Sequence, residues 1–142
     1  MKDYRGRSFK GANLSGIIFQ NANMEGVDFS GANLEGADFY GANLQGANFE
    51  SAILTETGLA ATNAAGANFS NATLYRADLR DSNLRSAILS GANLQGSNLE
   101  LADFTEATIL GVDFAGASLR GTSFRGAKIK GVIFPKDYKA ID

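Results

Sequence analysis

The 142-residue chain has no cysteine, no histidine, no tryptophan and a single proline, Pro135. The first absence excludes disulfides and thiolate chemistry, and the second excludes imidazole bases, imidazole metal ligands and every histidine-containing catalytic triad. No apolar run approaches the ~18 residues that a membrane helix needs. No charged start followed by an apolar stretch marks a signal peptide. These absences lead us to expect one cytoplasmic domain over residues 1–142, with no cofactor, no metal and no membrane association.

Basic residues are missing from a long part of the chain. Residues 11–75 carry Glu25, Asp28, Glu35, Asp38, Glu50 and Glu56 and no lysine or arginine, whereas Lys2, Arg5, Arg7 and Lys10 crowd the first ten residues. Nucleic acid is held by clustered positive charge, so direct nucleic-acid binding is not expected. An acidic body suits a basic partner instead.

What the chain has in abundance is one repeat. Taking Phe, Leu or a similar residue as the centre, a period of five runs from Phe9, Leu14, Phe19 and Met24 to Phe134 without slipping, giving 26 repeats. Two positions before the centre Ala fills 16 of the 26 sites, and one before it Asn or Asp fills 15 of 26, so the pattern constrains three of every five positions. A helix would rotate successive centres by about 140° around its axis, and a flat strand would send them alternately to opposite faces. The chain must therefore turn every five residues. The Ala site and the centre point inward from a short extended piece, and the next two residues, typically polar then Gly, make a corner that glycine tolerates. Four such sides close a square coil of about 20 residues, stacked on its neighbours at the ~4.8 Å strand spacing. The expected fold is all-β, a quadrilateral β-helix of about 6.5 coils and about 31 Å, filled with Phe, Leu and Ala.

The units Ala12-Asn13-Leu14, Ala32-Asn33-Leu34, Ala42-Asn43-Leu44 and Ala92-Asn93-Leu94 fit the A(D/N)LXX pattern, and on them the chain resembles the pentapeptide-repeat family, abundant in cyanobacteria. The resemblance covers nearly the whole chain and implies that the β-helix is right-handed. Many members of that family have no established biochemical role. The fixed interior and freely varying outward positions lead us to expect a non-enzymatic protein-interaction scaffold, with another protein as the partner and a monomeric or weakly dimeric state. An alternative comes from one branch of that family, whose members mimic B-form DNA and engage DNA gyrase. Charge density opposes this, because residues 11–75 offer six acids over about 16 Å, where duplex DNA carries about nine charges.

The pattern bends in places. Phe stands at centres 9, 19, 29, 39, 49 and 69, then returns five residues out of step at 104, 114, 124 and 134 after an all-Leu run, as if the wide axis of the core turned by a quarter. Residues 55–66, with Gly58 in place of Asn or Asp and Ala64 in place of a large centre, are expected either to stay in frame with a local bulge or to loop out. The repeats are expected over about 5–134, with short caps at Met1 to Arg7 and from Pro135 onward.

No residue set reads as catalytic or metal-binding. There is no nucleotide loop and no nucleophile-base pair, so no enzymatic activity is expected. Glu25, Asp28, Glu35 and Asp38 fall on all four sides, a girdle and not a pocket. Arg80, Glu100 and Arg120 share a column and are expected to pair across coils, as are the amides of Asn23, Asn43, Asn63 and Asn83 with Asp103 above them. Tyr40 and Tyr75 are outward contact candidates, while outward Ile18, Ile53, Ile88 and Ile133 are too scattered to form a patch. The candidate partner surface therefore comprises Glu25, Asp28, Glu35, Asp38, Tyr40, Tyr75, Arg80 and Arg120.

Overall fold

The computed structural model describes residues 1–139. Each five-residue unit contributes one side of a square, because its backbone pairs with the unit 20 residues away in both directions. Parallel bridges join Asp3 to Asn23, Asn23 to Asn43 and so on up to Asp113 with Ile133. Phe29 N–H, for example, donates to Asn48 C=O at 2.7 Å, and Asn48 N–H donates back to Val27 C=O at 2.9 Å. Only where one side lengthens does it become a continuous strand pair: β1 (Thr108–Leu110) lies parallel to β2 (Lys128–Lys130), with Ile109 opposite Ile129.

The corner between sides is a four-residue turn in which the Ala-site N–H returns to the preceding centre's C=O, as from Ala32 to Phe29 at 3.0 Å. Its third residue has φ near +60°, and 16 glycines and ten other residues, among them Glu56 and Leu101, occupy that place. The Asn or Asp before each centre closes the turn from its side chain. Its Oδ1 accepts the N–H two residues on, as in Glu35 to Asn33 at 3.1 Å and Ala115 to Asp113 at 2.9 Å. That local bond explains why the position is Asn or Asp on every side of the square and not in one column alone.

Centres and Ala sites fill the interior, and Phe29, Leu34, Leu44, Phe49, Leu84 and Phe104 are fully buried. Phe9, Phe29, Phe49 and Phe69 stack one above another, with centroid separations of 5.5, 5.1 and 4.9 Å and nearly parallel rings. Phe39 meets Phe29 and Phe49 edge-on from the next side but one. Beyond the Leu run the stack resumes a quarter turn away, with Phe104 on Phe124 at 5.4 Å and Phe114 on Phe134 at 6.2 Å. Where a hydroxyl replaces the Ala methyl it is satisfied within the wall: Thr62 donates to Leu59 C=O, Ser82 to Leu79 C=O and Ser97 to Leu94 C=O.

Two expectations need correction. Residues 55–66 stay in frame, as one of the two alternatives had it, but without the bulge. Gly58 bridges Asp38 and Asp78, Asn63 bridges Asn43 and Asn83, and the Phe49–Phe69 stack continues across the segment without a gap. Backbone pairing holds the register, helped by the buried Thr57 hydroxyl, which donates to Leu34 C=O one coil below. Met1 to Arg7 do not form a cap either. Asp3 already bridges Asn23, and Tyr4 is itself a centre, packed edge-on at 5.2 Å from Phe19. At the other end the chain turns at Pro135, whose C=O accepts Tyr138 N–H, and Tyr138 lies flat on Phe134 at 4.9 Å. The remainder of the expected C-terminal cap, residues 140–142, lies outside the described residues.

A candidate partner-docking recess

Columns of outward positions run up each of the four sides of the rod, and on one side two of them are interrupted in the same coil. On the side built by residues 17–19, 37–39, 57–59 and 77–79, the middle position reads Ile18, Asp38, Gly58, Asp78 and Asn98 in consecutive coils. At the neighbouring corner the column reads Gln20, Tyr40, Ala60, Arg80 and Glu100. The coil that carries Gly58 and Ala60 therefore presents almost no side chain between larger neighbours above and below. The result is a shallow recess of about 410 Å³ lined by Gln20, Asp38, Tyr40, Glu56, Asp78 and Arg80 around that bare backbone.

Gly58 is singular among the 17 glycines, because the other 16 all occupy the positive-φ corner and Gly58 does not. No backbone conformation requires glycine there. A Cβ added to it would meet Asp38 Oδ1 at 3.4 Å, an ordinary contact, so the missing side chain is not a steric necessity either.

The two carboxylates at the floor and roof differ in their partners. Asp78 is held by Arg80, whose Nε donates to Oδ1 at 2.9 Å and whose second guanidinium nitrogen donates to Oδ2 at 2.7 Å, a bidentate pair. That hydrogen-bonded guanidinium holds the Asp78 carboxyl below its usual value despite partial burial. Among the described residues Asp38 has only neutral donors: Tyr40 N–H to Oδ1 at 2.9 Å and the Gln20 amide to Oδ2. Tyr40 stands over the recess with 53% of its surface exposed, and Glu56 projects from the opposite corner.

Three of the eight sequence-selected residues, Asp38, Tyr40 and Arg80, thus meet at one place. The others do not join them. Glu25, Asp28, Glu35 and Arg120 stand elsewhere on the rod, and Tyr75 lies one coil above Glu56, whose N–H donates to its C=O, with the Arg76 guanidinium 5.9 Å from its ring centre. Asp28 accepts both the hydroxyl and the N–H of Ser30, which lowers its pKa. The expected pairing up the Arg80, Glu100 and Arg120 column is not made. Arg80 reaches sideways to Asp78, which is two residues away, and Glu100 accepts from the Ser118 hydroxyl at 3.3 Å. The asparagine column pairs at two of its four steps, with the Asn43 amide on Asn23 at 3.4 Å and the Asn83 amide on Asn63 at 3.2 Å, while Asp103 accepts from Arg85 and Thr105 instead of from Asn83.

The lowered carboxyls give the fold an acid limit. A pKa depressed in the folded state adds stability above the unfolded value and loses it as pH falls through the folded one, so the Asp78 and Asp28 contributions are complete at neutral pH and vanish in acid. Asp3, brought to about 2 chiefly by its hydrogen bond from Arg5, behaves in the same direction. Thermal melts followed by circular dichroism are expected to show the melting temperature falling below about pH 4, with a shallower fall in Asp78→Asn.

The family description Pentapeptide repeats matches in eight copies that together run from residue 8 to residue 134. None of the curated proteins compared matches the chain. Among solved structures, a pentapeptide repeat protein from the Arabidopsis thaliana thylakoid lumen is 37% identical, with 69% of this chain and 68% of that one covered at a TM-score of 0.69. A pentapeptide repeat protein from Nostoc is 31% identical over 65% of this chain and 77% of its own, at 0.51. QnrB1, a plasmid-mediated fluoroquinolone resistance protein, shares the fold at 23% identity, covering 92% of this chain and 72% of its own with a TM-score of 0.62. The five-residue period, the four-sided coil and these matches agree: the chain belongs to the pentapeptide-repeat family, and its fold is the right-handed quadrilateral β-helix of that family.

Proposed function

We propose that the protein is a non-enzymatic interaction module, a rigid rod read by a partner protein from its outward positions. The observation that carries this reading is the division of labour along the repeat. Three of every five positions are committed to the core and to the turn-closing Asn or Asp, while the remaining outward residues vary without disturbing them. The recess around Gly58 supports it further, since its carboxylates sit beside an exposed tyrosine in an open depression and no nucleophile-base pair stands among them.

The test is capture by the immobilised rod from a lysate of its own host, repeated with one charge-reversing variant on each side of the square. A stoichiometric partner lost with one side's variant is the expected result; a monodisperse rod that retains no protein overturns the reading. DNA-mimicking inhibition of gyrase is the competing possibility, for which a charge stripe along one side is needed. Here Glu25, Asp28, Glu35 and Asp38 sit at four different places around the perimeter. A gyrase supercoiling assay titrated to micromolar protein is expected to show no inhibition.

A further inference from the structure

We propose that the recess around Gly58 seats an arginine side chain from a basic segment of a partner protein, with its guanidinium stacked on Tyr40 and paired with Asp38 and Glu56. The inference rests on the interaction-module reading and names the chemistry of the partner. Charge argues for it first. The lining holds Asp38, Glu56 and Asp78 against Arg80 alone, and Arg80 is already committed to Asp78. The recess also opens onto the part of the rod, residues 11–75, that has six acidic residues and no basic one. Over residues 11–75, in the coils below Arg76 and Arg80, a cationic group approaching this side meets no competing positive charge, whereas anionic membranes and nucleic acids are repelled. Arg76, one coil above Glu56 at the same corner, holds its guanidinium 5.9 Å from the Tyr75 ring centre.

Shape argues second. The open recess of about 410 Å³ has room for one extended side chain, and it lies where Gly58 and Ala60 leave their coil bare. Gly58 has neither a positive φ nor a crowded Cβ position to account for it, unlike the 16 corner glycines, so backbone geometry does not require the gap. The third argument is the choice between the two cations. Tyr40 offers an exposed ring beside Asp38, and a planar guanidinium can stack on that ring while donating to the carboxylate, which an ammonium cannot do as well. Arg80 on Asp78 displays the same bidentate geometry one step away on the same side of the rod. At Asp38 a carboxylate with only neutral donors waits for an equivalent partner.

The probe is a fluorescein-labelled peptide of alternating glycine and arginine, followed by anisotropy at physiological ionic strength with the full chain. Wild type is expected to bind saturably with one peptide per rod. Gly58→Asn, which restores the side chain typical of that position and leaves the net charge unchanged, is expected to weaken binding at least tenfold. Ala60→Gln, a second filling variant, and Tyr40→Ala are expected to weaken it in the same direction. Asp38→Asn is expected to weaken it as well, while Glu25→Gln, which removes an equal charge from another corner, is expected to change it less than twofold. Circular dichroism melts show whether each variant keeps the fold. Absence of binding by wild type overturns the proposal, as does undiminished binding by both folded filling variants or an equal loss in Glu25→Gln and Asp38→Asn. A host partner captured equally by wild type and Gly58→Asn would refute this seat while leaving the interaction-module reading intact.

Discussion

Replacing Leu84 by glutamate is expected to abolish cooperative folding, whereas replacing its neighbour Arg85 by glutamate leaves the rod standing. Leu84 is fully buried between the walls of the square, so Leu84→Glu must either place a carboxylate in the Leu and Phe interior or open the coil. Burying such a group without a partner costs several kcal/mol, a large share of the about 5–15 kcal/mol that holds a domain of this size together. Arg85 points outward with more than half of its side chain exposed, and its 3.2 Å contact with Asp103 is the only ion pair it makes among the described residues. A surface pair of that kind contributes about 0–1 kcal/mol, and reversing the charge adds only a screened repulsion from Asp103. Urea titrations of both variants measure the contrast. Similar losses for the two would mean that the strict alternation of inward and outward residues is wrong.

The second large effect is expected at Phe49. Its ring lies flat between Phe29 at 5.1 Å and Phe69 at 4.9 Å, and Phe39 approaches its edge at 5.9 Å, so truncation removes aromatic contacts in three directions. Phe49→Ala is expected to cost about 3–5 kcal/mol, the range for a buried ring replaced by a void that the surrounding walls cannot close. The backbone pairing on either side fixes the width of the square, which limits collapse into the hole. Phe9→Ala, at the half-buried end of the same stack, is expected to cost clearly less. Urea midpoints and slopes for the pair provide the check, and equal losses would show that the stack does not act as a continuous column.

The core was legible because it is written every five residues. The spacing from Phe9 to Phe134 dictates a turn per unit and four sides per coil, and the step from Phe69 to Phe104 shows the aromatic axis turning by a quarter, as the ring stacks confirm. Surface chemistry was less legible because it is decided by rotamers and by neighbours 20 residues away. Arg80 had two carboxylates within reach, Asp78 beside it and Glu100 one coil up, and only the side-chain geometry shows that the near one wins. Tyr4 escaped notice as a centre because the basic residues on either side of it, Lys2, Arg5 and Arg7, look like a terminal cap, yet Asp3 is already on a bridge. The recess was hidden for a different reason: it is made of what is missing. Gly58 and Ala60 read as weak repeats until the coils stack and set Asp38 and Tyr40 beneath them and Asp78 and Arg80 above. The signal that could have found it was the single glycine standing outside the corner phase.

The 20-residue register also sets the arithmetic of insertion and deletion for this chain. Adding or removing a full turn leaves every later residue facing the compass direction it had before, whereas a change of one unit swings everything beyond it by ninety degrees. A recess assembled from three consecutive turns, as that of Asp38, Glu56 and Arg80 is, therefore survives duplication of whole turns elsewhere but is dismantled by a single extra unit between its own parts. Descendants of such a gene can lengthen freely in steps of one turn while every face keeps its direction.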